Sequence, residues 1–154
     1  MMYKNITSPG EGAAALFEDV LKRGADLKVA VTGKSMTPFI KSGDTVTIRK
    51  IPADRLVIGD LIFYKNRLGL PVLHRLIGIK TTGDGGQLFR TKGDALSVFD
   101  EPFVEQVFMG KVFSIERASG CGNRMRGLDM ASLKWRVINF IVAGLSGLGL
   151  RIYG

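Results

Sequence analysis

Four side chains of the types that hydrolytic chemistry uses occur in order along the chain: Ser35, His74, Asp94 and Asp100. A serine hydroxyl is a weak nucleophile until a base takes its proton. His74 is the sole histidine, the residue type best suited to general-base work at neutral pH, so it is the natural candidate for that base. A histidine base in turn wants a carboxylate on its other ring nitrogen, to fix the tautomer and stabilise the imidazolium. Asp94 and Asp100, six residues apart in TKGDALSVFD, both qualify. Each residue also has a plainer reading: a turn serine, a half-buried strand histidine, and acids that form a turn or cap an element.

The elements around these residues decide what can be presented. Leu27–Val31 alternates and is β-branched, which reads as a strand end. In the stretch VTGKSMTPFIKSGD, Pro38 forbids that strand from continuing with its hydrogen bonds intact, so Ser35 lies at a sharp break. Lys34 beside it points away if the alternation holds, and reads as solvated. Further strands are expected near Thr45–Arg49, Asp60–Lys65, Val72–Lys80, Leu88–Thr91 and Phe108–Glu116. Ser42-Gly43-Asp44, Gly59-Asp60 and Lys92-Gly93-Asp94 read as turns, and Gly83–Gly86 as a hairpin turn. His74 falls inside the apolar strand VLHRLIGI. Before the strands, Ser8-Pro9-Gly10-Glu11 forms a capping box with proline at the first helical position. Ala13, Leu16, Phe17, Val20 and Leu21 make one apolar helix face, ended by Lys22-Arg23-Gly24. From Asp129 onward the pattern is helical again. The fold class expected is mainly β: an antiparallel core between a short N-terminal helix and a C-terminal amphipathic or hydrophobic helix. Three parts are expected: residues 1–24, a core over 25–118, and a basic tail over 119–154.

At 154 residues the chain can bury a core, and 45% hydrophobic against 23% charged residues excludes disorder. The net charge is +8, and from Lys111 to Gly154 seven Lys/Arg stand against two Asp/Glu, a net of +5. A basic end suits an anionic lipid surface, nucleic acid or plain solvation; no specific nucleic acid is expected. One cysteine, Cys121, excludes an internal disulfide and reads as a spectator. With one histidine as well, no metal site and no cofactor are expected. The N-terminus lacks the apolar core of a secretory signal. The stretch Val137–Leu150 is shorter than the about 20 apolar residues of a bilayer span. Flanked by Lys134, Trp135, Arg136, Arg151 and Tyr153, it reads as an interfacial anchor or a docked helix. A cytoplasmic location is expected, with peripheral membrane attachment through the tail as the open alternative.

Taken together, Ser35-Met36-Thr37-Pro38 with Gly43-Asp44, His74-Arg75, and Lys92-Gly93-Asp94 followed by Asp100 resemble the type I signal peptidase family, in its endoplasmic-reticulum-like Ser/His branch. The resemblance covers roughly residues 28–112. It implies the β-rich fold shared with LexA-type repressors, with Ser35 as nucleophile and His74 as general base. Asp100 matches the acid that orients the histidine, and Asp94 the Lys-Gly-Asp acid, which shares that role or is structural. Gly33, Ser35, Met36 and Pro38 fall where the oxyanion and substrate groove is implied. The implied substrates are peptides or preproteins with small residues before the cut. This sequence departs from the family in having Gly33 where a serine usually stands two residues before the nucleophile, and in lacking an N-terminal anchor. Gly-x-Ser-Met is close to the box of the self-cleaving LexA group, for which Ala143-Gly144 is a bond of the right type. A non-catalytic peptide- or lipid-binding module on the same fold is the rival from another class.

Overall fold

Alternation builds the sheet, and the places where it fails show which strands are covered on both sides. The computed structural model describes residues 11–117, 127–130 and 132–148. In chain order it contains α1 (Glu11–Lys22), β1 (Leu27–Ala30), β2 (Thr45–Arg49), β3 (Leu61–Lys65), β4 (Pro71–Thr81) and β5 (Gln87–Lys92). There follow β6 (Phe103–Val104), β7 (Phe108–Glu116), β8 (Gly127–Asp129) and α2 (Leu133–Leu148). The strands make one antiparallel, curled sheet in the order β1-β2-β7-β3-β4-β5-β6, with β8 paired to β7.

The mainly β, helix-flanked architecture is the one expected, and every strand read from the sequence is present. The two missed are β6 and β8, of two and three residues, too short for a period-2 signal. The expected boundary at 118/119 falls inside one packed unit, because β8 pairs with β7 and Met130 joins the core. The capping-box residues 8–10 and Cys121 lie outside the described residues.

β3 explains the two-sided core. Its Leu61 and Phe63 join one apolar cluster with Phe17, Val46, Ile48 and Val112, while Ile62 and Tyr64 join a second with Leu76, Phe89 and Phe108. All four are buried, so a strand of an antiparallel sheet reads as a continuous apolar run instead of an alternating one. α1 closes the first cluster through Phe17 and Leu21, with Ala13 and Val20 packed against it. All four belong to the expected face, and Phe17 and Leu21 are buried, whereas Leu16 is 36% exposed and Ala14 is buried. Ala14, Phe17 and Leu21, at i, i+3 and i+7, are the buried stripe of the helix. The β4–β5 hairpin turns at Thr82–Gly86, where the Thr82 N–H donates to the Gly86 carbonyl at 2.9 Å.

Candidate active site

Between β1 and β2 the chain makes a closed excursion that carries Ser35. The Val31 N–H donates to the Asp44 carbonyl at 2.8 Å, and the Gly43 N–H returns a bond to the Val31 carbonyl at 2.9 Å. Inside this neck the Asp44 carboxylate accepts from the Lys41 N–H at 2.9 Å. The loop then coils, with the Thr37 N–H donating to the Lys34 carbonyl and the Ile40 N–H to that of Met36. Met36 and Ile40 are buried in the first apolar cluster and act as anchors. Lys34 is exposed, as read from the sequence. Gly33 has φ +96°, a conformation L side chains rarely adopt, which gives a physical reason for glycine at this position.

Residues 93–95 brace this loop from behind. The Ala95 N–H donates to the Ser35 carbonyl at 2.8 Å. A Cβ on Gly93 would stand 2.8 Å from that same oxygen, closer than real Cβ contacts come, so only glycine lets the two segments meet. Ser35 is thus held from its carbonyl side, and its own N–H donates to no acceptor among the described residues.

His74 and Arg75 are neighbours on β4, and successive strand residues point to opposite faces. His74 pairs across the sheet with Ile62, and Arg75 with Leu61. Each collects one of the two candidate acids. His74 Nδ1 lies 2.6 Å from Asp100 Oδ2. That bond requires the proton on Nδ1 and leaves Nε2 as the ring's acceptor. The Asp100 carboxylate also accepts from the Thr91 hydroxyl at 2.7 Å, and Thr91 Oγ1 lies 3.0 Å from the Tyr64 hydroxyl. Burial alone would raise the Asp100 carboxyl. The hydrogen bonds from His74 and Thr91 more than offset it and hold the group below its ordinary value. Burial pushes the Tyr64 phenol well up, so it stays protonated and can donate to Thr91.

Asp94 goes elsewhere. Its two oxygens accept from Arg75 Nε and Nη2 at 2.8 and 2.7 Å, a bidentate pair. Arg75 Nη1 donates to the Asn139 side chain at 2.7 Å and to the Gly59 carbonyl at 3.1 Å. Its guanidinium carbon stands 5.2 Å from the centre of the Phe39 ring. The Lys-Gly-Asp acid is therefore a brace between β4, α2 and the Ser35 loop, and Asp100 is the partner of His74.

Ser35 and His74 line one cavity of about 240 Å³, together with Gly33, Met36, Val31 and Leu73. They make no direct hydrogen bond among the described residues; such contacts often tighten only when substrate is bound. Phe17 of α1 and Phe63 of β3 form part of the wall, their rings 5.8 Å apart. Pro38, expected in the groove, is exposed and off this cavity; it shapes the loop. Sequence reasoning missed Thr91, Tyr64, Asn139 and Phe17. Thr91 opens the TKGD box and could have been suspected; the others carried no local signal.

The cavity also faces unpaired backbone. β1 is the terminal strand of the sheet, and Val29 to Gly33 line the recess. Across it, Pro71 to His74 of β4 precede the stretch that pairs with β5, which begins at Arg75. Two strand edges thus flank the space in front of Ser35, the arrangement that strand addition by a peptide requires. No family model matches the chain, and no curated protein matches it.

Proposed function

We propose that the protein is a serine endopeptidase that binds an extended peptide and cleaves it after a small apolar residue. The observation that carries this reading is the convergence of Ser35 and the Asp100-bound His74 on one apolar cavity. In the proposed cycle, the peptide lies between the free edges of β1 and β4. His74 Nε2 takes the Ser35 proton as Oγ attacks the scissile carbonyl, and Asp100 stabilises the imidazolium that forms. The Ser35 N–H, free of other acceptors, is available to the oxyanion. The protonated His74 then gives its proton to the leaving amine, and water hydrolyses the acyl-enzyme with His74 again as base.

The recess sets what can precede the cut. Its walls are mostly apolar, and its volume exceeds the roughly 150 Å³ of an apolar cavity that holds benzene. It therefore accepts alanine and has room for residues up to leucine. Self-cleavage at Ala143–Gly144 fits the geometry poorly: the bond lies within α2 and Ala143 is 3% exposed, whereas a protease needs its substrate extended.

The test is turnover of a fluorogenic peptide with an Ala-x-Ala end before the cut. Ser35→Ala and His74→Ala should each lose activity by on the order of 10⁴-fold or more while unfolding at the wild-type temperature. Equal turnover by wild type and both variants would end the peptidase reading.

A further inference from the structure

α2 is only partly committed to the sheet. Asn139 and Ala143, four residues apart, are its buried stripe, and Trp135 packs on the first apolar cluster. Val137, Phe140, Ile141 and Leu145 stand 51%, 63%, 53% and 65% exposed. Beside them, before β3, Val57 and Ile58 are 44% and 39% exposed. A groove lined by Val57, Ile58, Ile79, Val137 and Phe140 joins the two groups into one apolar surface. Contiguous apolar surface of this kind marks an interaction site more often than an accident.

The rim says what covers it. Arg136 lines the groove, Lys134 on the same helix and Arg55 before Val57 are exposed beside it, and none of the three makes an ion pair among the described residues. Asp54 is the exposed acid beside Arg55. A second copy of the chain, docked by a two-fold axis, would set these cations against themselves. Anionic headgroups over an acyl layer match both the charge and the apolar centre. At 16 residues α2 is about 24 Å long, short of the about 30 Å hydrocarbon core, which suits a helix lying in the interface plane. Among the described residues no helix is long and apolar enough to cross a membrane.

We propose that α2 and the Val57–Ile58 turn form a docking face for an anionic lipid surface. The face is tied to the cleft through Asn139, Arg75 and Asp94, so lipid contact would fix the height of Ser35 above the membrane. The proposal does not depend on the peptidase chemistry.

The experiment is flotation of the full chain with vesicles of mixed zwitterionic and anionic phospholipid, and with zwitterionic vesicles alone, at low and high salt. Co-flotation with the anionic vesicles, weakened by salt, is the expected result. The Phe140→Glu/Leu145→Glu double variant should lose it, and Lys134→Glu/Arg136→Glu should weaken partitioning by roughly tenfold or more. All four positions are exposed, and circular dichroism with turnover of the fluorogenic peptide checks that the variants remain folded. Failure of wild type to float at low salt, or unchanged flotation of the Phe140→Glu/Leu145→Glu variant, overturns the proposal. So does a dimer in sedimentation equilibrium that the same variant dissolves while vesicles go unbound.

Discussion

Two carboxylate pairings sit side by side on β4, and they differ in almost everything except sequence position. Arg75–Asp94 is sealed, with side chains 1% and 3% exposed; His74–Asp100 is open, at 10% and 24%. One knits three elements together on the inner side of the strand. The other borders the cavity, with a ring nitrogen free for proton transfer. The same short segment after β5 supplies both acids, so a single excursion of chain serves the core and, in the proposed function, the chemistry. The brace is surrounded, whereas the pair proposed for turnover keeps one side accessible.

That contrast makes quantitative demands. Asp94→Ala leaves a buried guanidinium without its partner, and such losses cost about 3–5 kcal/mol. Urea unfolding should show a shift of that size, with turnover per folded molecule little changed. Asp100→Asn should do the reverse. The fold should survive, and kcat should fall by up to about 10⁴-fold as the histidine loses its preferred tautomer. Should Asp100→Asn cost more stability than Asp94→Ala, the two roles would have to be exchanged.

Acid sharpens the difference further. The Asp100 carboxyl is held below its ordinary value of 3.8, so the fold favours its ionised form. Its contribution is complete above the ordinary carboxylate range and is lost as pH falls through the depressed native value. Thermal unfolding followed downward from neutral pH should therefore show an acid limb that is shallower in Asp100→Asn. The smallest effect is expected from Thr91→Val, which removes one hydrogen bond to Asp100. A change of about 1 kcal/mol in stability and a few-fold drop in kcat should follow.

Much of this was readable before any coordinates. The longer strands announced themselves by alternation and turn residues, and the Ser35 break by Pro38. The choice between the two acids was not readable, because both lie in one loop and local spacing suits either. It is settled by the pleat of β4, which turns His74 and Arg75 to opposite faces. Asn139 was beyond reach for another reason: it lies 64 positions from the arginine it binds, on a helix whose register the sequence alone did not fix. Phe17 read correctly as a core residue, yet nothing local indicated that the core it enters is also the wall of a cleft. The membrane reading of the tail was open at the level of sequence; the unpartnered apolar face gives it a shape.

The two borders of the sheet are treated unequally. At one border β6 is a two-residue stub, too short to recruit a foreign strand. At the other, β1 offers a four-residue edge beside Ser35, twice the length of β6. An open border is a hazard in any β protein, since it can template fibrils or chains of copies. Here it lies where the proposed substrate peptide would be seated. Storage of concentrated protein without a peptide in the cleft should therefore nucleate aggregation from β1, and a tight, non-cleavable peptide should act as a stabilising excipient.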